Sequence, residues 1–295
     1  MVKHLNEHLS PKALADAIGV GESSIKRWAD SGKIKLTRTS GGHRRILVKE
    51  AIRFIREAGL EVIQHAHLGL IMPRKELSPE LPIELLLQEA LVQGEQEKIN
   101  QLVEAIHLKG WSLGEICDGP FAAALARIGR MWLDDSERGI LIEHRCTALA
   151  ISAIERLRSM NEMTDAAAPI ALGGALSGDQ SQLPSLMAAA TLEAQGFQTI
   201  NLGANTPIST FMAGVELHSP ARIWISINHL ENAREAKRAI QDLVYSVRTK
   251  GARVVIGGRS CRELKLKADR SLFIANSMSD IESFTMGLRA LNTAQ

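Results

Sequence analysis

The chain has 295 residues, of which 45% are hydrophobic, enough apolar material for about two or three modest cores. It contains no run of about 18 apolar residues, so we expect no membrane span and no membrane partner. The N-terminus lacks the apolar stretch of a signal peptide. Three widely separated cysteines favour a reducing, cytoplasmic location, and none has the spacing of a structural zinc site.

Charge is distributed unevenly along the chain. Residues 1–60 hold 12 Lys and Arg against 6 Asp and Glu, a net charge of +6, whereas the whole chain carries only +2. The remaining 235 residues therefore carry a net −4. A small basic segment ahead of a mildly acidic body predicts a polyanionic partner for the first segment alone. We call residues 1–60 the head.

Within the head, residues 9–58 have the element order of a winged helix-turn-helix. The pattern predicts a first helix after Ser10, a turn at Gly19-Val20-Gly21 and a second helix over 22–30. A hairpin around Gly41-Gly42 follows, and then a closing helix. This order of elements is typical of DNA-binding domains.

The outward positions of the head are basic or polar. The predicted DNA contacts are Ser23, Ser24, Lys26 and Arg27 on the second helix, and Arg38, His43, Arg44 and Arg45 on the hairpin. We expect the second helix to read bases in the major groove and the hairpin to supply salt-dependent phosphate contacts. A charged hairpin alone would also fit a solvated surface. Its occurrence with the two helices favours binding to a double-stranded DNA operator.

The next segments are predicted to be a linker and a helical bundle. Residues 61–82 contain three prolines and no sustained amphipathic pattern. Residues 83–163 have the apolar spacing of four helices with short loops. Trp132 ends the third helix and Glu143-His144 begins the fourth, so both could face one end of the bundle. Taken alone, Trp132 would be a core residue and Glu143-His144 a surface pair.

Residues 168–295 alternate five predicted strands with helices. The strands are apolar on both faces, as in residues 223–227, and this predicts a parallel five-stranded sheet covered by helices. The fold class is therefore multi-domain, α and α/β, with a flavodoxin-like, Rossmann-type last domain. The loop Ser177–Ser181 follows the first strand, where open α/β sheets bind ligands. The glycine fingerprint of a dinucleotide site is absent.

This order of parts resembles the CarH/LitR branch of MerR-type regulators, from about Leu9 to Leu291. The resemblance rests on SSIKRWADSGKI and TSGGHRRI in the head, on LEAQGFQTINLG and VVIGGR near the end, and on the Trp and Glu-His pair. It implies a light-responsive repressor that uses adenosylcobalamin. The residues at the positions of the family's cofactor site are Trp132, Glu143 and His144 above the corrin, Asp179 and Ser181 below it, and Ser226, Gly257 and Gly258 along the nucleotide tail. Asn228 is a further candidate for a polar contact to the tail.

The chain departs from the family pattern where cobalt would be bound. The family carries Glu/Asp-x-His-x-x-Gly after the first strand; here Asp179 matches, whereas Ser181 and Pro184 occupy the His and Gly positions. A serine hydroxyl is a poor donor for cobalt compared with an imidazole. The family's second histidine, after the capping Trp, is Leu133 here. His144 is then the candidate metal ligand, from above.

Three interpretations remain open from the sequence. In the first, a corrinoid or another tetrapyrrole binds without the lower histidine. In the second, the pocket is vestigial and regulation depends on oligomerisation or a protein partner. The third is an enzyme, because corrinoid-binding halves also occur in methyltransferases and mutases. A DNA-binding head without a catalytic barrel makes the third weakest, so we expect no enzyme activity and a homo-oligomer, dimeric or tetrameric, on DNA.

Overall fold

The computed structural model describes residues 8–68, 70, 82–131, 136–161 and 167–292. The chain divides into two compact units. The first consists of Met1–Ser112 and Gly119–Met163, and the second of Leu113–Asp118 and Thr164–Gln295. The finer division into head, linker and bundle stays a prediction. No helix in the described residues is long and apolar enough to cross a membrane.

The head contains three helices and a small antiparallel sheet. Its elements are β1 (His8–Leu9), α1 (Pro11–Ile18), α2 (Glu22–Asp30), β2 (Thr37–Arg38), β3 (Arg44–Leu47) and α3 (Val48–Glu57). Strand β3 lies between β1 and β2. Ser10 Oγ accepts the Ala13 N–H at 3.1 Å and caps α1, and Gly19 ends that helix in the left-handed conformation. The helices and the hairpin thus lie where the sequence pattern places them.

The first part of the predicted linker packs onto the head. The backbone N–H groups of Ile63 and Gln64 both donate to the Ala17 carbonyl, at 2.7 and 3.0 Å. A 3-10 turn, His65–Leu68, follows, and the Leu68 and Leu70 side chains are buried. These residues extend the core of the head rather than forming a solvated connection. Residues 71–81 of the predicted linker lie outside the described residues.

The helical segment has the four predicted helices, and the third is broken near Pro120, where the sequence predicts a kink. Helices α4 (Ile83–Gln93), α5 (Gln96–Leu108), α7 (Ala122–Met131) and α8 (Ser136–Met160) belong to the first unit. The expected third helix is instead α6 (Leu113–Ile116), a π-helical turn at Cys117–Phe121, and then α7. Pro120 lies in that turn and has no N–H for an α-helical hydrogen bond. Helix α6 belongs to the second unit.

The second unit contains a five-stranded parallel sheet, as predicted. The strands are β4 (Ile170–Ala175), β5 (Gln198–Asn201), β6 (Arg222–Ser226), β7 (Arg253–Gly257) and β8 (Leu272–Ala275), in the order β5-β4-β6-β7-β8. Helices α9 (Gln182–Ala194), α10 (Ile208–His218), α11 (Ala233–Arg248) and α12 (Met278–Asn292) connect or follow them. The strand order reverses between β4 and β6, so the carboxyl ends of these strands form the switch point where such sheets bind ligands.

Each face of the sheet has its own apolar core. On one face, Ile223 and Ile225 pack with side chains of α10 and α11. On the other, Trp224 and Val255 pack with side chains of α9 and α12. Helix α6 joins this second layer, because Gly114 N–H donates to Glu282 Oε1 at 2.9 Å. A Cβ at Gly114 would lie 2.8 Å from Glu282 Cδ, so a side chain there would push the carboxylate away from this position.

Candidate functional site

Four predicted site residues meet at the carboxyl end of the sheet. Asp179 is fully buried. Its Oδ1 accepts the Ser181 N–H at 2.9 Å, and its Oδ2 accepts the Asn228 N–H at 2.6 Å and the Asn228 side-chain amide at 3.3 Å. The same amide donates to Ser226 Oγ at 2.9 Å. The Asp179 carboxylate is therefore satisfied by donors from its own loop and from the loop after β6.

Neighbouring loops brace this cluster through residues that the sequence analysis did not select. Asn205 Oδ1 accepts the Gly178 N–H at 2.8 Å, and the Asn205 N–H donates to the Asp179 carbonyl at 2.9 Å. The Asn228 carbonyl accepts Arg259 Nε at 3.0 Å and Ser260 Oγ at 3.2 Å. We call the loops 176–181, 203–206, 227–232 and 258–260 the rim. In the sequence, these contacts could have been expected from the polar residues that follow the strands within a few positions.

A cavity of about 170 Å³ lies against the rim, on the α9 and α12 side of the sheet. The predicted residues Ser226, Asn228, Gly257 and Gly258 line it. Gly258 has a φ of 110°, and a Cβ there would collide with the Ile227 carbonyl, so only glycine fits. Small-molecule sites usually enclose about 300–1,000 Å³, so this cavity is small for a cofactor.

Trp224 occupies the space beside that cavity. Its side chain is buried, and a Cβ on Gly173 of the neighbouring strand would overlap the indole ring. The indole Nε1 donates to Ser185 Oγ at 3.1 Å, and Ser185 Oγ donates to Asn201 Oδ1 at 3.0 Å. Packing and hydrogen bonds therefore hold the ring between the sheet and α9. In the sequence, Trp224 has only the pattern of a residue in an apolar strand.

The predicted capping pair of the bundle is exposed in the first unit. Glu143 and His144 lie on α8 with side-chain exposures of 57% and 75%, and His144 Nδ1 lies 2.8 Å from Glu143 Oε2. Thr147 Oγ1 donates to Glu143 Oε1 at 3.2 Å. Trp132 and Leu133 lie outside the described residues. Among the described residues no group of three or more His, Cys, Asp or Glu could hold a metal, so metal binding by His144 stays a prediction.

The predicted DNA-binding side chains divide into exposed and internally paired groups. Ser23, Lys26, Arg27, Arg38 and His43 are exposed, whereas Ser24, Arg44 and Arg45 are partly buried. Lys26 pairs with Glu22 at 2.9 Å on the same helix. Arg44 Nη2 binds Asp30 Oδ1 at 2.9 Å, which fastens the hairpin to the end of α2. Arg44 thus has an internal partner, whereas the side chains of Arg38 and Arg45 have none among the described residues.

The cysteines carry no sign of reactivity. All three are free and buried. Burial raises the pKa of the Cys117 thiol far above its usual range and that of Cys261 to about 11, and it also raises the pKa of Cys146. Thiols with such pKa values stay protonated at neutral pH and are poor nucleophiles and metal ligands.

The rim residues do not fit a cobalamin held in the way the resemblance implies. Position 181 offers a hydroxyl instead of an imidazole, and the Asp179 carboxylate that would orient such a ring already accepts three hydrogen bonds. The space for an inserted nucleotide tail is reduced to about 170 Å³, because the Trp224 indole fills the neighbouring volume. The loop therefore provides no imidazole ligand, and the cavity is too small for an inserted nucleotide tail.

Comparisons with known proteins find similarity to a B12 binding domain and to corrinoid proteins. Residues 86–158 match the family model described as B12 binding domain. The monomethylamine corrinoid protein of Methanosarcina barkeri matches 68% of this chain and 96% of its own, with 16% identity and a TM-score of 0.52. That likeness shows a shared fold. No curated protein matches this chain.

Two further solved structures match less closely in shape. The methanol:cobalamin methyltransferase complex MtaBC of Methanosarcina barkeri covers 75% of this chain and 85% of its own, at 14% identity and a TM-score of 0.35. A cobalamin-binding protein of Desulfitobacterium hafniense covers 70% and 98%, at 16% identity and a TM-score of 0.35. The chain therefore contains a segment that matches the B12 binding domain and an α/β unit with the fold of a corrinoid protein.

Proposed function

We propose that the protein is a DNA-binding transcriptional regulator, acting as a repressor through its head. The observation that carries this proposal is a set of cations on α2 and on the β2–β3 hairpin without internal partners in the described part of the chain. Among the described residues, the side chains of Arg27, Arg38 and Arg45 have no hydrogen-bond or ion-pair partner. Charges that contribute nothing to internal pairing are free to bind phosphates.

The docking geometry follows from the order of the head's elements. Helix α2 presents Ser23 and Lys26 on its exposed face while Ile25 is buried beneath it. In a winged helix-turn-helix this second helix enters the major groove, and the hairpin contacts the flanking backbone. Base contacts would then come from α2, and Arg38 and His43 would supply phosphate contacts.

The test is selection of a DNA site from a random pool by the full-length chain, followed by gel shifts over a range of salt. We expect a preferred sequence. Arg27→Ala combined with Arg45→Ala should weaken binding at least about tenfold and lower the log–log salt slope by about two. The matched control is Lys267→Ala combined with Arg270→Ala, which removes two exposed charges from the second unit. Equal losses in both double variants, or no preferred sequence, would contradict the proposal.

The corrinoid-type parts of the chain are proposed to control assembly rather than catalysis. One small head binds a half-site weakly, and a dimer or tetramer gains affinity through the effective concentration of its linked heads. Size-exclusion chromatography with and without operator DNA tests this. We expect an oligomer on DNA, and a monomer that binds the operator tightly would contradict the assembly step.

Two candidate signals for assembly have separate support. The match of residues 86–158 to the B12 binding domain supports a corrinoid or another tetrapyrrole as ligand. Light as a further input rests only on the resemblance to CarH/LitR regulators. The engaged Asp179 carboxylate and the small cavity favour regulation without a ligand, through oligomerisation or a protein partner. A visible spectrum recorded in the dark with added adenosylcobalamin separates the two. A shifted spectrum supports the first candidate, and unchanged cofactor with intact DNA binding supports the second.

A further inference from the structure

We propose that Trp224 limits the cavity of about 170 Å³ beside the sheet, so that this chain excludes an inserted nucleotide tail. The inference rests on the proposed role of the second unit as a corrinoid-type module. It identifies a specificity-determining residue in strand β6 rather than in the loop after β4. It also implies that restoring a histidine at position 181 is insufficient for cobalamin binding.

The first argument is the position of the indole. Trp224 and Ser226 lie two positions apart on β6, so their side chains share one face of the sheet. Both line the cavity. A group that entered beside Ser226 and advanced along β6 would therefore meet the Trp224 ring.

The second argument is that the ring cannot easily move aside. It packs over Gly173, which has no side chain to yield, and against Ala188 and Ala189 of α9. Its Nε1–H is buried and donates to Ser185, whose hydroxyl in turn donates to Asn201. Rotating the indole would break this chain of hydrogen bonds inside the core and leave a buried donor without a partner.

The third argument is chemical consistency between two separate positions. A protein imidazole can coordinate cobalt from below only if the cofactor's own benzimidazole leaves that position and finds a place elsewhere. Position 181 offers no imidazole, and the Trp224 indole limits the cavity beside the sheet to about 170 Å³. Both departures exclude the same mode of binding, in which the tail is displaced and inserted.

The experiment compares full-length wild type with Ser181→His, Trp224→Ala and the double variant. Each protein is labelled with ¹⁵N-histidine and mixed with hydroxocobalamin, which is then reduced to cob(II)alamin. Electron paramagnetic resonance reports whether the axial nitrogen belongs to a histidine, because only then does labelling change the splitting. We expect a histidine signal from the double variant alone. A histidine signal from the single variant Ser181→His would overturn the proposal. The absence of a histidine signal from a folded double variant would also overturn it.

A second measurement does not require corrinoid binding. Replacing Trp224 with Ala would add on the order of 150 Å³ to the existing cavity of about 170 Å³, and the enlarged space would reach the lower end of the range for small-molecule sites, about 300 Å³. We expect benzimidazole to raise the Tm of Trp224→Ala, and of Trp224→Leu if the alanine variant does not fold, but not that of wild type. Ser185→Ala, which loses the hydrogen bond but keeps the indole, is the matched control and should show no rise. A rise in wild type or in Ser185→Ala, or none in the Trp224 variants, would overturn the proposal.

These outcomes are independent of the regulator proposal. Binding of wild-type protein to its selected DNA site is measured in gel shifts without cobalamin. If the wild type binds DNA but Trp224 does not control the cavity, only the present inference fails. If the cavity behaves as expected but no DNA site is selected, only the regulator proposal fails.

Discussion

The head and the rim both collect polar residues, but they use them in opposite ways. In the head, Arg27 and Arg38 are exposed, and no described residue pairs with their side chains. At the rim, Asp179 is fully buried and accepts three hydrogen bonds, and Asn228 bridges it to Ser226. An open set of charges is ready for an external partner, whereas a closed set mainly stabilises the fold. The comparison supports DNA binding by the head more strongly than ligand binding at the rim.

The largest expected effect comes from removing the Asp179 carboxylate, which accepts the hydrogen bonds of the buried cluster at the rim. Asp179→Ala removes the acceptor for the backbone N–H groups of Ser181 and Asn228. Because hydrogen bonds to a buried carboxylate are strong and their donors would be left unpaired, we expect the free energy of unfolding to fall by about 3 kcal/mol. Urea unfolding measures it. Ser181→Ala, which keeps the backbone donor, is the control and should change little. A negligible loss in Asp179→Ala would mean that the rim is not closed.

The second expected effect concerns the contact between α3 of the head and α5, where His107 lies. His107 on α5 is buried, its Nδ1 lies 3.2 Å from the Trp111 carbonyl, and Arg56 of α3 donates to the His107 carbonyl at 2.9 Å. Burial, with a smaller effect of the Arg56 charge, lowers the pKa of His107 to about 3 from a usual value of 6.5. Between about pH 3 and pH 6.5 this ring is therefore neutral in the folded protein, whereas the same imidazole in the unfolded chain binds a proton.

The sign of the resulting pH dependence follows from that lowered pKa. The contribution of His107 to stability is fully present above pH 6.5 and is lost as the pH falls toward 3. Between pH 7 and pH 5 the expected loss is about 2 kcal/mol, because each unit of pH below 6.5 costs about 1.4 kcal/mol. In His107→Gln this loss should disappear, so the stability gap between the two proteins should narrow by that amount. A gap that does not change with pH would contradict the neutral buried ring.

A smaller effect separates two arginines that face each other across the hairpin. Arg38 and Arg44 are paired positions on β2 and β3, but only Arg44 has an internal partner, Asp30. We expect Arg38→Ala to lower the salt slope of DNA binding by about one and to leave stability unchanged. Arg44→Ala should cost about 0.5–1 kcal/mol of unfolding free energy, since the pair is partly exposed. Gel shifts over a range of salt and urea unfolding measure the two effects, and identical behaviour of the two variants would remove the distinction between open and paired cations.

The sequence predicted the elements better than it predicted the contacts among them. The parallel sheet followed from apolar strands such as 223–227. The grouping of Asp179, Ser226 and Asn228 was implied only by the resemblance, which places all three in the cofactor site. The role of Trp224 did not follow, because an apolar residue in a buried strand has the same pattern whether it fills a core or a cavity. The separate α6 was also missed, because its contact with Glu282 joins residues 168 positions apart.

The smallest expected effect concerns Glu143 and His144, the exposed pair on α8. Their side chains are 57% and 75% exposed, so the contact between them gains little in water. We expect His144→Ala and Glu143→Ala each to change the free energy of unfolding by no more than about 0.5 kcal/mol. Urea unfolding of each variant beside wild type measures this. A loss above about 1 kcal/mol would show that the pair is committed to the fold, as Asp179 is. Unchanged stability would place these two side chains with the open cations of the head, available to a partner outside the chain.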